Sequence, residues 1–237
     1  MNLVFTGPPG AGKGTQAAMF HARHGAPHVS TGDMLREAVR DATDLGERAS
    51  AYMRRGDLVP DELVDAIVRA RLAREDCSSG FILDGYPRTL QQARVLGESL
   101  ARDGRRLDAA VLFAIRDEVL LERLVGRRVC VRCGATYHLN HKPPRIAGRC
   151  DLDGMALELR KDDDAETVRH RVAVFRELTG PMVEYYRGEG LLLQVDAELP
   201  ILKIYKEIRR FIDGRSPRPR RRARGVWAAR IGAAPIG

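Results

Sequence analysis

No run of apolar residues in this 237-residue sequence approaches the roughly 20 that a membrane-spanning helix needs. Nor does the N-terminus set a charged segment ahead of an apolar one, as a secretion signal would. A cytoplasmic protein with no membrane association is therefore expected. Cysteine is scarce: four in a chain this long do not make a disulfide scaffold, and three of them, Cys130, Cys133 and Cys150, share one segment. That clustering points to metal rather than cystine. Acidic residues are missing from residues 215 to 237, which hold seven arginines, so the net charge of +8 falls to +1 for the rest of the chain. The excess cation that would suggest a nucleic-acid partner is confined to the tail, and none is expected for the body. Internal repeats are also lacking. What remains is a 44% hydrophobic chain, the composition of a folded globular protein of one sizeable domain with insertions.

Short apolar runs recur at Leu3-Val4-Phe5, Phe81-Ile82-Leu83, residues 110–114 and residues 191–195, separated by helix-patterned stretches such as residues 61–74. Buried strands alternating with helices predict an α/β fold, a parallel sheet covered on both faces. Residues 30–59 read as a small helical insertion closed by Gly56-Asp57-Leu58-Val59-Pro60. Residues 127–164, with glycines, the Pro143-Pro144 pair and the clustered cysteines, read as a second insertion. From residue 214 to 237 the composition turns to Arg, Pro, Gly and Ala, the signature of a disordered tail.

Directly after the first strand comes Gly7-Pro8-Pro9-Gly10-Ala11-Gly12-Lys13-Gly14-Thr15. A strand that breaks into glycines and resumes as a helix turns several backbone N–H groups toward one point at a helix N-terminus, where a polyphosphate is favoured. Lys13 adds a point charge there, and the hydroxyl of Thr15 arrives one place later than in the usual Gly-Lys-Ser/Thr pattern. Asp84 ends the strand Phe81-Ile82-Leu83, where parallel-sheet proteins keep their ligands, so it can hold Mg²⁺ directly or through water. Gly85-Tyr86-Pro87-Arg88 then sets a guanidinium beside it. Arg36, Arg88, Arg123, Arg127, Arg160 and Arg171 complete a set of planar donors able to neutralise and align two nucleotides.

Taken together, the glycine loop, Ser30-Thr31-Gly32-Asp33, Gly56-Asp57-Leu58-Val59-Pro60, Leu83-Asp84-Gly85-Tyr86-Pro87-Arg88-Thr89, Gly126-Arg127-Arg128 and Arg160-Lys161-Asp162-Asp163 resemble the adenylate kinase family in order and spacing, over about residues 1 to 213. The resemblance implies a P-loop core (1–29, 60–125 and 164–213), an AMP-binding insertion (30–59) and a lid (126–163). It implies reversible transfer of the ATP γ-phosphoryl group to AMP, giving two ADP, with Mg²⁺, in a monomer. ATP would lie on Gly10, Ala11, Gly12, Lys13, Gly14 and Thr15, with Arg127, Thr136 and Tyr137 lining its side, Tyr137 near the adenine, and a backbone contact to adenine near Leu199. AMP would meet Thr31, Arg36, Asp57, Leu58, Val59, Gly85, Tyr86, Pro87, Arg88 and Gln92, while Arg123, Arg160 and Arg171 grip the transferring and AMP phosphates. His141 and Lys142 stand where the family usually has Phe and Asn, and Ala197 where it has Gly.

Cys130-Val131-Arg132-Cys133 and, further on, Cys150-Asp151-Leu152-Asp153 form two pairs of the same spacing. Two tight turns, each presenting two ligands, make a closed tetrahedral Zn²⁺ site with Asp153 as the fourth ligand; His138 is the alternative. Some bacterial members of the family carry the same set. Cys77 reads as a small buried apolar residue. Two rival functions are a kinase for another nucleoside monophosphate, differing at the base pocket, and a nucleic-acid-binding protein built on a zinc ribbon and the arginine tail.

Overall fold

The computed structural model describes residues 1–160, 163 and 165–215. Strands β1 (Asn2–Thr6), β2 (His28–Ser30), β3 (Phe81–Asp84), β4 (Ala109–Ala114) and β8 (Leu192–Asp196) form one sheet in the order β2-β3-β1-β4-β8, every neighbouring pair parallel. Side chains alternate along a strand, so apolar residues at consecutive positions must be covered on both faces. Val4, Leu83 and Ala110 face Val64 and Val68 of α4 (Asp61–Leu72), Leu96 and Leu100 of α5 (Leu90–Arg102), and Met182 and Val183 of α7 (Ala165–Gly188). Leu3, Phe5, Ile82, Val111 and Phe113 face Ala17 and Phe20 of α1 (Lys13–His24), and Ile204, Ile208 and Ile212 of α8 (Ile201–Arg215). The spacing of the apolar residues on these helices, three or four apart, is what makes one stripe of each fit the sheet. Phe5 sits between Phe20 and Phe113, with ring centroids at 5.9 and 5.2 Å in edge-on contact.

The four apolar runs are the four longer strands of the sheet. The edge strand β2 was not among them, because its three residues carry a single buried apolar side chain, Val29. Between β2 and α4 lie α2 (Thr31–Arg40) and α3 (Asp44–Arg55), started by Ser30 and Thr43, whose hydroxyls accept from the N–H groups of Asp33 (3.2 Å) and Gly46 (3.1 Å). After α6 (Asp117–Val125), a separate antiparallel sheet forms from β5 (Arg127–Cys130), β6 (Thr136–His138) and β7 (Leu157–Glu158), in the order β6-β5-β7. α8 runs through Gly214 to Arg215, whose guanidinium lies over the Phe211 ring at 5.3 Å. The rest of the arginine tail, and Lys161 and Asp162, lie outside the described residues. Among those described, no helix is long and apolar enough to cross a membrane.

The α2–α3 pair crosses at Gly46, where an added Cβ would stand 2.0 Å from the backbone oxygen of Ala38. Gly46→Ala must therefore push the two helices apart, and we expect it to destabilise the protein by about 1–3 kcal/mol, the usual range for overpacking. Denaturant unfolding of the variant beside the parent measures this.

Candidate active site

α1 begins without a side-chain cap. Its N-cap is Gly12, at φ +88°, a left-handed conformation that brings the loop round to aim N–H groups outward. α2, α3 and α5 each spend a Ser or Thr hydroxyl on this job; α1 leaves its first-turn donors for an anion. Gly10, at φ +86°, has no room for a Cβ, which would meet Leu124 Cγ at 2.9 Å. Within this loop the Lys13 ammonium donates to the carbonyls of Gly7 (2.8 Å) and Pro8 (2.9 Å). Removal from water pushes its pKa down to about 8; the Asp84 carboxylate works against this, and Arg88, Arg171 and Arg127 add to it.

Asp84, at the end of β3, accepts a hydrogen bond from His28 Nε2 at 3.1 Å. Burial pushes its carboxyl up, but the His28 hydrogen bond and the Lys13 charge outweigh that and hold it below the ordinary carboxylate range. An ionised carboxylate beside a phosphate cradle fits Mg²⁺. Next along the chain, Arg88 is fixed from two sides: its Nε donates to the Gly85 carbonyl (2.8 Å) and its backbone N–H to Gln92 Oε1 (2.7 Å). Gln92 in turn donates to Asp61 at 2.8 Å. Thr31 Oγ1 donates to the Gly85 carbonyl at 3.0 Å.

The other arginines approach on acids. Buried Asp163 accepts from Arg127 of β5 through both Nε and Nη2, and Arg171 of α7 lies 3.6 Å from the same carboxylate. Asp33 is shared by Arg36 and, at 3.1 Å, Arg160. Asp57 accepts from Arg55 (2.7 Å) and His170 (2.8 Å). Two adjoining pockets result. One is lined by Thr6, Gly7, Pro9, Lys13 and residues of α7; the other by Thr31, Arg36, Asp57, Val59 and Gln92; and Gly56, Leu58, Gly85, Arg88 and Arg171 line both.

A strand, a glycine loop and a cationic junction between two pockets delimit a class of enzymes, and comparison with known proteins narrows it. The sequence model of the family described as Adenylate kinase matches residues 5–191. The chain is 48% identical over 214 residues to an adenylate kinase of Exiguobacterium sibiricum, covering 90% of this chain and 100% of that one. It is 48% identical to one of Archaeoglobus fulgidus (90% and 98%) and 50% identical to one of Moorella thermoacetica (85% and 93%). The chain belongs to the adenylate kinase family. The family reaction is reversible, Mg²⁺-dependent transfer of a phosphoryl group from ATP to AMP, giving two ADP.

Several residues expected in the site are placed differently from one another. Lys13, Arg88, Arg127 and Arg171 gather around one point. Arg123 stands apart on α6, its charge felt at His138 and Glu198. Leu199 packs on the core, and its N–H donates to the Asp196 carbonyl at 3.3 Å. Tyr86 and Pro87 are buried, the Tyr86 hydroxyl donating to Asp65 at 2.7 Å, and neither lines the two pockets. Thr136 is exposed on β6, and the Tyr137 side chain is buried in the core of the small sheet. Three residues with evident work were missed: His28, Asp33 and Asp163. The motifs containing Asp33 and Asp163 were visible, but nothing local indicates that each of these acids, the first exposed and the second buried, will meet two arginines.

Cys130, Cys133, Cys150 and Asp153 bring their ligand atoms within 4.8 Å of one another, with Cys133 and Cys150 Sγ 3.5 Å apart and Cys130 Sγ 3.3 Å from Asp153 Oδ1. Ligands on one tetrahedral zinc lie about 3.3–3.8 Å from each other, given bonds of about 2.0–2.3 Å, so the group fits Zn²⁺. All three thiols are free. His138 is outside the group; its Nδ1 accepts from the N–H groups of Asn140 and His141, both at 3.1 Å.

Because the Lys13 pKa is lowered to about 8, the uncomplexed enzyme loses this cation as pH rises past that value, whereas bound phosphate favours the proton. We expect kcat/KM for MgATP to fall on an alkaline limb near pH 8 and saturated kcat to hold to higher pH. Parallel pH profiles of the two constants check this, and a flat kcat/KM through pH 9.5 would contradict it.

Proposed function

We propose that the cleft carries out ATP + AMP ⇌ 2 ADP by holding two phosphate chains on either side of one set of shared cations. The observation that carries this reading is the pair of pockets meeting at Arg88 and Arg171. On one side, Gly10, Ala11, Gly12, Lys13, Gly14 and Thr15 cradle the ATP phosphates. Arg123, Arg127 and the β6 backbone at Thr136 close over that nucleotide, with Leu199 at the edge of its base. On the other, Thr31, Arg36, Asp57, Leu58, Val59, Gly85, Gln92 and the backbone of Tyr86 and Pro87 enclose AMP. Arg88, Arg160 and Arg171 hold its phosphate against the transferring group. Asp84 would hold Mg²⁺ through water, and the ion would supply positive charge against the phosphates.

An ionised oxygen of AMP forms the new O–P bond as the bond from the γ-phosphorus to the departing ADP oxygen breaks. No proton has to leave the acceptor, so no general base is needed. Catalysis is alignment and cationic stabilisation. Water could attack the same phosphorus, which gives two closing segments, the AMP insertion (30–59) and the lid (126–163), a mechanistic reason on the core. Zn²⁺ on Cys130, Cys133, Cys150 and Asp153 would be structural, since the donor set leaves no open position. Thiolate ligands suit a reducing cytoplasm, and both pockets form within one chain, as a monomer requires. No nucleic-acid role is assigned to the body, whose charges nearly cancel.

A coupled assay of ADP formation with AMP, GMP, CMP and UMP as acceptors tests the reading; AMP should be strongly preferred. Arg88→Lys keeps the charge but loses the planar fork, and should lower kcat/KM for AMP by at least about tenfold, the equivalent of one charge-assisted hydrogen bond. A change within twofold would remove Arg88 from this role.

Elemental analysis should find one Zn²⁺ per chain. Its chelation should lower the melting temperature while turnover measured well below the transition persists at a reduced level. Activity that tracks zinc with an unchanged melting temperature would make the metal catalytic instead.

A further inference from the structure

Tyr137 lies on β6, opposite Arg128 of β5, and its side chain is 5% exposed among Cys130, Cys150, Ala135 and Leu157. A phenylalanine would fill that space as well, so the hydroxyl needs its own account. It has two partners. The backbone N–H of Asp151 donates to it at 2.8 Å, and Cys150 Sγ lies 3.5 Å away. With an acceptor site of the oxygen taken by Asp151, its single proton is free to point at sulfur, and a metal-bound thiolate has no proton of its own to give. Cys150 Sγ also accepts from the Leu152 N–H at 3.4 Å. Among the described residues it is the one ligand sulfur of the group that a hydroxyl reaches.

We propose that Tyr137 is a positioning residue for the metal: its hydroxyl donates to the Cys150 thiolate and fixes the direction of that ligand. The inference rests on the zinc reading above. Its physical content is that a hydrogen bond to a ligating sulfur withdraws electron density and restricts the rotation of the side chain, so ligand orientation no longer depends on the metal alone. Because Asp151 lies in a turn of the lid and Tyr137 on β6, the same hydroxyl ties the second ligand pair to the strand pair that carries Arg127.

The test uses the full chain, with Zn²⁺ and Co²⁺ as probes. In Tyr137→Phe, competition with a chromophoric chelator should show zinc bound about tenfold or more weakly than in the parent, the usual consequence of losing such a partner. In the Co²⁺ form, the sulfur-to-metal charge-transfer band should move to longer wavelength, because a thiolate freed of a hydrogen bond is easier to oxidise. Should the phenylalanine variant fail to fold, 3-fluorotyrosine introduced at position 137, a stronger donor of nearly the same shape, should move the band the opposite way. Unchanged zinc affinity and an unmoved band in a folded variant overturn the role of Tyr137 while leaving the metal site intact. A parent protein that binds no zinc overturns both readings. A raised KM for ATP with unaltered zinc affinity would return the Tyr137 side chain to the nucleotide.

Discussion

Gathering Lys13, Arg88, Arg127 and Arg171 near one helix N-terminus sets like charges against one another, and the surrounding structure is organised to hold them there. The repulsion is visible in the lowered pKa of Lys13, to which all three arginines contribute after burial. Opposing it are two buried or nearly buried acids at different places: Asp84, coupled to Lys13, and Asp163, which takes both Arg127 and Arg171. Carbonyl oxygens of the glycine loop and of Gly85 do the rest. Such a cluster is preorganised for anions because its cations are already fixed in direction before a phosphate arrives.

Separate elements of the fold supply the members of the cluster. β1 and α1 supply the loop and Lys13, β3 ends at Asp84, the turn after it carries Arg88, β5 carries Arg127, and α7 carries Arg171. A sheet buried on both faces gives these pieces a rigid common base, and Asp163 joins the arginines on β5 and α7. Arg160 and Arg36 repeat the pattern at smaller scale around Asp33, linking residues 127 apart in sequence.

What the sequence made legible followed from local pattern. Continuous apolar runs identified the four two-sided strands, and glycine and arginine motifs identified the phosphate side of the site. β2 escaped because one buried valine between two polar residues is no pattern at all. The strands of the small sheet escaped for a similar reason, being two to four residues long and mixed in polarity; glycines, the Pro143-Pro144 pair and the cysteine spacing marked the region but not its strands. The contact of Tyr137 with the cysteine cluster was not legible either: alternation along β6 sends neighbouring side chains to opposite faces, and this one lies 3.5 Å from Cys150 Sγ. The pairings of Arg127 with Asp163 and of Arg160 with Asp33 were invisible because their partners lie 36 and 127 residues apart in the chain.

β2 has one neighbour, β3, and spans only three residues. Its first residue, His28, steadies Asp84, and its last, Ser30, caps α2. Edges of this kind are where a native protein opens first, by fluctuations too small to unfold the rest. Here a single such fluctuation would release a carboxylate on the ATP side and a helix start on the AMP side together, so the two nucleotide sites share a common point of local failure at the rim of an otherwise well-buried sheet.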